Sequence, residues 1–197
     1  MPLLTRKTWL LAKIESSEGS DPTPVGGSNA VQVTNVDITP IEADAVQAPA
    51  LQGFLGNSTR GTVLANKRVS VSFSTELSGS GAAGTAPAYG PLLKSAGLSE
   101  TVVSSTSVTY APVSASFSSC TIYCFYDLTR HKITGARGTV TFNLVAGQIA
   151  SADFQFIGIY NAPDSTDMSG TWTLANQAAG LEVNNTNVTT ATLHGAT

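Results

Sequence analysis

The feature that most constrains the fold is a strict alternation of two kinds of side chain between Arg68 and Leu77. Successive side chains of a β-strand point to opposite faces, so this stretch predicts a strand with two different faces. The face predicted to be buried carries Val69, Val71, Phe73, Thr75 and Leu77. The opposite face carries Arg68, Ser70, Ser72, Ser74 and Glu76. An outward face made mostly of serine suits a surface that contacts a partner without binding it tightly.

Similar alternation recurs along most of the chain, with turn-forming residues between the alternating stretches. It predicts strands over residues 5–14, 30–36, 67–77, 107–113, 118–126, 132–144, 149–160, 171–174 and 187–193. One short helix is predicted over 88–96, because Pro91 suits a first helical turn and Gly97 suits a C-terminal stop. The pattern is typical of an all-β sandwich or barrel with one short flanking helix.

Two segments show no regular period. Residues 16–29 are rich in proline, glycine and aspartate, which is typical of an exposed arm or a plain surface loop. Residues 43–62 are predicted to form a long loop that contains Leu51, Phe54 and Leu55. Long loops in compact domains are usually functional or disordered, and an apolar one is expected to contact a partner.

The composition is poor in charge. Charged residues make up 12% of the 197 residues, against about 25% in average soluble proteins. So few charges indicate either a secreted β protein or a subunit that buries much of its surface in an assembly. The net charge of −3 and the absence of a basic cluster in the sequence argue against tight nucleic-acid binding.

No constellation of catalytic residues is visible in the sequence. His131 and His194 lie far apart, and there is no zinc-ligand spacing and no phosphate-binding loop. Cys120 and Cys124 lie on one predicted strand about 13 Å apart, too far for a disulfide, which predicts free thiols and a reducing compartment. The sequence therefore predicts a protein that is not an enzyme and that has no catalytic residues, metal or cofactor. The apolar run before Lys13 predicts a mature strand rather than a signal peptide.

The order of several motifs resembles one known family. The motifs are TRKTWLLAKIE, GSDPTP, RVSVSFSTELSGSGAAGTAPAYGPLLKSAGL, SCTIYCFYD and GARGTV with the following FNLVAGQI. Together they resemble the major tail tube proteins of long-tailed, non-contractile bacteriophages and their prophage relatives. The resemblance covers residues 1–163 and predicts one tail-tube domain there. Residues 164–197 are predicted to form a C-terminal extension with one or two strands. The end of this extension fits either a shorter relative of the family or a truncated chain.

The resemblance implies a β-sandwich that assembles into six-fold rings, which stack into a hollow tube for genome delivery. Strands of neighbouring subunits would join into one barrel around the lumen. The alternation of side chains along these strands then assigns the lumen lining to Arg68, Ser70, Ser72, Ser74, Glu76, Thr139, Thr141, Asn143, Ser151, Asp153 and Gln155. The same alternation fits any sheet that has one face in water, so alternation alone leaves both interpretations open.

The resemblance also implies partners. The arm 16–29 and the loop 43–62 would bridge subunits or rings through Asp21, Pro22, Pro24, Leu51, Phe54 and Leu55. Expected partners are other copies of the chain, a tape measure protein, tail terminator and tip proteins, and passing double-stranded DNA bound without sequence specificity. The expected location is the virion tail, after synthesis in the bacterial host cytoplasm and without membrane contact.

An adhesin or carbohydrate-binding β-sandwich is the alternative function. It would also explain the low charge and the many hydroxyls. It requires an exposed aromatic cluster for stacking on sugars. Trp9 and Trp172 lie at opposite ends of the sequence with no third aromatic residue grouped beside them, which disfavours this alternative.

Overall fold

The computed structural model describes residues 7–49, 59–166, 171–184 and 186–187, and within them the chain forms strands and two short helices. The strands are β1 (Thr8–Ile14), β2 (Ala30–Val31), β3 (Thr34–Pro49), β4 (Thr59–Glu76), β5 (Leu98–Val103), β6 (Ser107–Pro112), β7 (Cys120–Tyr126), β8 (Thr129–Asn143) and β9 (Ser151–Tyr160). The helices are α1 (Gly26–Asn29) and α2 (Gly90–Ser95).

Seven of the strands form one antiparallel sheet in the order β2-β1-β7-β8-β9-β4-β3, and β5 pairs with β6 in a separate sheet. Only Gln32 and Val33 separate β2 from β3, although these strands lie at opposite edges of the large sheet. Two linking residues span at most about 11 Å between flanking Cα atoms. The sheet therefore curls until its edges approach each other, which gives a barrel that is not closed by strand pairing.

The core lies inside this open barrel. The alternation of β4 places Val69, Val71 and Phe73 inside, and the neighbouring strand β9 adds Phe154 and Phe156. The three phenylalanine rings stack with centroids 5.6, 6.0 and 5.8 Å apart. Helix α2 packs Leu92 and Leu93 onto the same core, so the helix is held by burial of its apolar side.

The predicted all-β fold with a short helix at 88–96 is confirmed, and the structure adds α1 and β5, which the sequence analysis missed. The loop predicted over 43–62 is wrong at both described ends, since residues 43–49 and 59–62 are strand. These residues show no alternation because the described side chains on both faces of this part of the hairpin are exposed or half-buried. Residues 50–58 lie outside the described part of the chain.

The C-terminal part of the described chain lies on the barrel and forms only isolated bridges, without a strand of its own. Residues 171–174 are not a strand, which corrects that prediction, and most of the predicted strand 187–193 lies outside the described residues. Isolated bridges join Arg130 to Asp164, Ala146 to Val183 and Ile149 to Glu182. A domain boundary after residue 163 stays a prediction.

Candidate functional site

The sequence-predicted lining residues lie together on the outer face of the barrel. Residues directly opposite each other in a sheet share a face. Three rows cross β8, β9 and β4, namely Thr139–Gln155–Ser72, Thr141–Asp153–Ser74 and Asn143–Ser151–Glu76. Ser70 and Arg68 continue the same face opposite Ile157 and Ile159. We call these eleven predicted residues the open face.

The cations at the open face are paired with carboxylates. The Arg68 Nε donates to Glu42 at 2.9 Å, and the Ser70 hydroxyl donates to the other oxygen of Glu42 at 2.7 Å. These two hydrogen bonds lower the pKa of Glu42, so its charge persists. Arg137 at the margin of the face contacts Glu18 at 2.9 Å. With Asp153 and Glu76 added, the eleven residues of the open face are polar and neutral to acidic, and the exposed Ile157 and Ile159 lie beside Ser70 and Arg68.

A groove of about 430 Å³ crosses the open face between β3 and β8. Its polar lining includes Asp37, Thr39, Ser72, Thr139 and Gln155. These are hydroxyl, amide and carboxylate groups, and the Arg137 guanidinium also lines the groove. The groove can therefore form hydrogen bonds to a passing or bound surface.

The other half of the outer face is covered by the segment that follows β1. Glu15 anchors this segment, because its buried carboxylate accepts four hydrogen bonds. They come from the Thr121 hydroxyl at 2.6 Å, the Gly135 amide at 2.7 Å, the Ser119 hydroxyl at 2.7 Å and the Gly19 amide at 2.8 Å. The segment is thus tied to β7 and β8 of its own barrel.

The predicted contact residues of the arm also touch their own chain. Asp21 accepts a hydrogen bond from the Tyr123 hydroxyl and pairs with Lys132 at 3.3 Å. The carbonyl of Pro22 accepts from Lys13 at 2.9 Å, and Pro24 is buried. Contact of these three residues with another subunit stays a prediction. The other predicted contact residues, Leu51, Phe54 and Leu55, lie outside the described part of the chain.

The structure groups the aromatic residues that the sequence analysis treated as separate. Trp9 lies opposite Phe125 in the β1–β7 pair, and the C-terminal segment brings Trp172 to 5.1 Å from Trp9 and 5.2 Å from Phe125 between ring centroids. The expectation that no third aromatic accompanies the tryptophans is therefore wrong. The rings pack against one another and against Gly26, so they form a small second core rather than an open platform for sugars.

Two exposed apolar surfaces lie at the ends of the long strands, and the sequence analysis missed both. The first, which we call the hairpin end, is formed by Val46, Val63 and Leu64 on β3 and β4. The second, which we call the turn end, surrounds the β8–β9 turn and is formed by Phe142, Leu144, Val145, Ile149 and Leu181. The adjacent apolar pair Val63-Leu64, directly after the aperiodic segment 43–62, was the available signal in the sequence.

Comparison with known proteins identifies the family. A family model described as phage tail tube protein matches residues 5–197. The chain belongs to the phage tail tube protein family. Proteins of this family are structural rather than catalytic, and membership implies a component of the virion tail. No curated protein sequence matches this tail tube protein.

Solved structures with a similar fold come from a prophage-derived tail. The tail tube protein resembles a chain of the "anti-feeding prophage cap (AFP tube terminating cap)" with a TM-score of 0.51 and 11% identity, covering 84% of this chain and 93% of that one. It also matches a chain of the anti-feeding prophage baseplate with a TM-score of 0.44 and 8% identity, covering 83% and 95% of the two chains. The first likeness supports the fold.

The remaining reactive groups of the tail tube protein fit a structural role. Cys120 and Cys124 form no disulfide, as the sequence analysis predicted. Both side chains are fully buried. Burial raises the pKa of each thiol to about 12, so neither is a nucleophile at neutral pH. Within the described ranges, no cluster of His, Cys, Asp and Glu is placed to hold a metal ion. No helix among the described residues is long and apolar enough to cross a membrane.

Proposed function

We propose that this tail tube protein assembles into six-fold rings that stack into a hollow tube, and that the open face lines the lumen. The observation that carries this proposal is the shared placement of the eleven lining residues on three adjacent strands. DNA binds tightly where unpaired cations can displace its counterions. At the open face Arg68 is already paired with Glu42, so a passing duplex would meet hydroxyls, amides and carboxylates.

We further propose that neighbouring subunits join at the β3 edge. This strand is 16 residues long and forms one edge of the large sheet. A long uncovered edge leaves backbone groups free to pair with another chain. Pairing around a ring would extend the sheet into one barrel around the lumen and remove the exposed edge.

The family suggests the other partners of the tube. We propose that the tube is built in the host cytoplasm around a tape measure protein, closed by tail terminator and tip proteins, and used for genome delivery by a long-tailed phage. The grouped aromatic rings do not favour the alternative of carbohydrate binding, because Trp172 is packed between Trp9, Phe125 and Gly26 of the arm.

Accessibility of an introduced thiol tests the lumen assignment. The two native cysteines are buried, so a single added cysteine dominates labelling of the folded protein. Ser72→Cys should react with a bulky maleimide–polymer conjugate before assembly and become protected in assembled tubes. Ser107→Cys, on the β5–β6 hairpin, is the matched control and should react in both states. Equal labelling of Ser72→Cys before and after assembly would overturn the lumen assignment.

A further inference from the structure

A second groove, of about 600 Å³, lies between the glycine-rich loop that follows β4 and the strand β6. We call it the loop groove. One wall is the segment 78–87, which reads SGSGAAGTAP, and the other wall comes from β6 and the residue before it. The lining also includes Leu77 and Tyr89, which pack against the core. The loop groove therefore lies on the core side of the sheet, away from the open face.

Contacts near both ends of the glycine-rich loop fix its position. At one end the Ala178 amide donates a hydrogen bond to the Gly79 carbonyl at 2.9 Å. At the other end Gly84 has a φ of +70°, and a Cβ there would lie 2.3 Å from the Ser105 backbone nitrogen. The loop thus lies directly on the tip of the β5–β6 hairpin. The loop groove is formed before any ligand binds, as is usual for small-molecule sites.

The side chain of Ser78 lines the loop groove and carries an unsatisfied hydroxyl. Ser78 is 8% exposed, and its Oγ has no hydrogen-bond partner. Within the described ranges it is the one buried side-chain oxygen or nitrogen in this state. Leaving a buried hydroxyl unpaired is costly, and such a group in a folded protein calls for an explanation. A polar ligand seated against Ser78 would supply the missing partner.

The charges and hydroxyls of the lining select a neutral ligand. No Asp, Glu, Lys, Arg or His lines the loop groove. A charged ligand would lose its hydration there without gaining an ionic partner. The lining offers hydroxyls instead, and those of Thr85 and Ser107 form no hydrogen bond among the described residues. Because a hydroxyl both donates and accepts, this set matches a ligand that itself carries several hydroxyls.

The apolar part of the lining matches the C–H faces of a sugar ring. Val108 and the half-buried Tyr110 line the groove from β6. The Tyr110 hydroxyl donates to Glu100 at 2.6 Å, which fixes the orientation of the ring. Small residues on the opposite wall let a ligand approach the backbone amides closely. A pyranose ring presents C–H groups on its faces and hydroxyls around its edge, so it needs both kinds of surface.

We propose that the loop groove binds a neutral sugar unit, a hexose or an N-acetylhexosamine, in contact with the Ser78 hydroxyl. This site is separate from the packed aromatic rings around Trp172, and the inference goes beyond the proposed tube function. A lumen on the open face would leave the loop groove on the outer side of the tube wall. Every subunit would then present one weak site, and many such sites would act together on a glycan-covered surface.

Titration of the free subunit with simple sugars tests the proposal. Glucose, galactose and N-acetylglucosamine are added in turn to the isotope-labelled full chain, and backbone amide signals are followed by nuclear magnetic resonance. At least one sugar should shift the amide signals of Gly79, Gly81 and Gly84. The shifts should saturate with a dissociation constant of about 1 to 10 mM, since a ligand of this size binds weakly. The signal of Gly147, which lies outside the groove, should not move.

Three variants link the signal to the loop groove. Ser78→Ala should weaken binding about three- to tenfold, and it should not lower the melting temperature, because the hydroxyl has no partner to lose. Ala83→Phe fills the groove from its exposed loop and should abolish binding. Ala111→Phe is the matched control, since Ala111 is exposed on β6 and does not line the groove. If Ala83→Phe does not fold, Ser107→Phe blocks the groove from the opposite wall.

Each result decides the proposal. Saturable shifts that the blocking variant abolishes and Ala111→Phe retains would support a sugar site. The proposal fails if none of the three sugars gives saturable shifts at the loop amides, or if Ser78→Ala or the blocking variant binds with unchanged affinity. An uncharged hexapeptide of serine and threonine is titrated in parallel, and saturation by the peptide alone would assign the groove to an extended protein segment instead. Because the titration uses the free subunit, its outcome is independent of the tube function.

Discussion

The carboxylate of Glu15 accepts a hydrogen bond from the Thr121 hydroxyl at 2.6 Å, which ties the end of β1 to β7. Two hydroxyls and two backbone amides donate to this one buried group. A carboxylate has acceptor sites for all four donors. A neutral amide has one acceptor oxygen, so its NH2 group would face at least one of these donors without forming a hydrogen bond. The charge of Glu15 is therefore part of how the covering segment is held on the outer face.

Glu15→Gln should destabilise the folded protein by about 2 to 4 kcal/mol, because hydrogen bonds to a charged group are lost and a backbone donor is left unpaired. The free energy of unfolding in urea would measure this. Glu18→Gln is the matched control, since Glu18 is exposed and forms a surface ion pair with Arg137, so it should cost under about 1 kcal/mol. Equal stability of the two variants would contradict the assigned role of Glu15.

The same group should make stability depend on pH. Burial alone would raise the pKa of Glu15, but its four hydrogen bonds outweigh burial and hold the pKa below the unfolded value of 4.5. The folded state therefore binds the proton more weakly than the unfolded state, so the contribution is complete above pH 4.5 and is lost as the pH falls through the folded pKa. Asp164 acts in the same direction, with its pKa lowered to about 2 mainly by hydrogen bonds from Arg130 that outweigh burial.

Urea unfolding between pH 7 and pH 2.5 would measure this dependence. The stability difference between the unmodified protein and Glu15→Gln should be constant from pH 7 to about 5 and shrink below pH 4.5. A difference that stays constant down to pH 2.5 would show that Glu15 does not keep its charge through these contacts.

Much of the fold could be predicted from the sequence because one face of most strands is buried. The alternation of Ser70, Ser72 and Ser74 with core residues gave the correct face for each of them. The same signal is absent where both faces are exposed, which is why residues 43–62 of the distal hairpin were predicted to be a loop. Trp9 and Trp172 are 163 positions apart, and their contact depends on tertiary pairing that no local pattern encodes.

Gln177 connects the link between β2 and β3 to strand β4. Its side-chain amide accepts a hydrogen bond from the Gln32 backbone amide at 3.0 Å and donates to the Gln32 carbonyl at 3.3 Å and to the Thr75 hydroxyl at 3.2 Å. Gln32 follows β2, and Thr75 belongs to β4, where its hydroxyl also donates directly to the Gln32 carbonyl at 2.8 Å. Gln177 therefore adds to a direct contact between the β2–β3 link and β4.

Gln177→Ala should therefore destabilise the protein by about 1 to 2 kcal/mol and speed hydrogen exchange of the Gln32 amide. Gln148→Ala removes the same atoms from an exposed position and should change neither quantity measurably. Exchange detected by nuclear magnetic resonance would report the Gln32 amide directly. Unchanged exchange at Gln32 in the Gln177 variant would show that the C-terminal segment does not hold the β2–β3 link.

The neutral to acidic open face leads to a prediction about genome passage that rests on the proposed lumen. Gln155 lies at the centre of a cross-strand row between Ser72 and Thr139, and it is exposed. Gln155→Lys should leave folding and assembly intact, because the side chain is not in the core. It would add one cation per subunit along the lumen, where it can bind phosphates by releasing counterions. Genome release from phage carrying this variant should slow several-fold at low salt and recover as salt is raised, since screening weakens the interaction.

Gln155→Glu is the control and should release DNA at the normal rate. Time courses of DNA release at two salt concentrations would measure the effect, and identical rates for the lysine and glutamate variants would mean that this face does not meet the DNA.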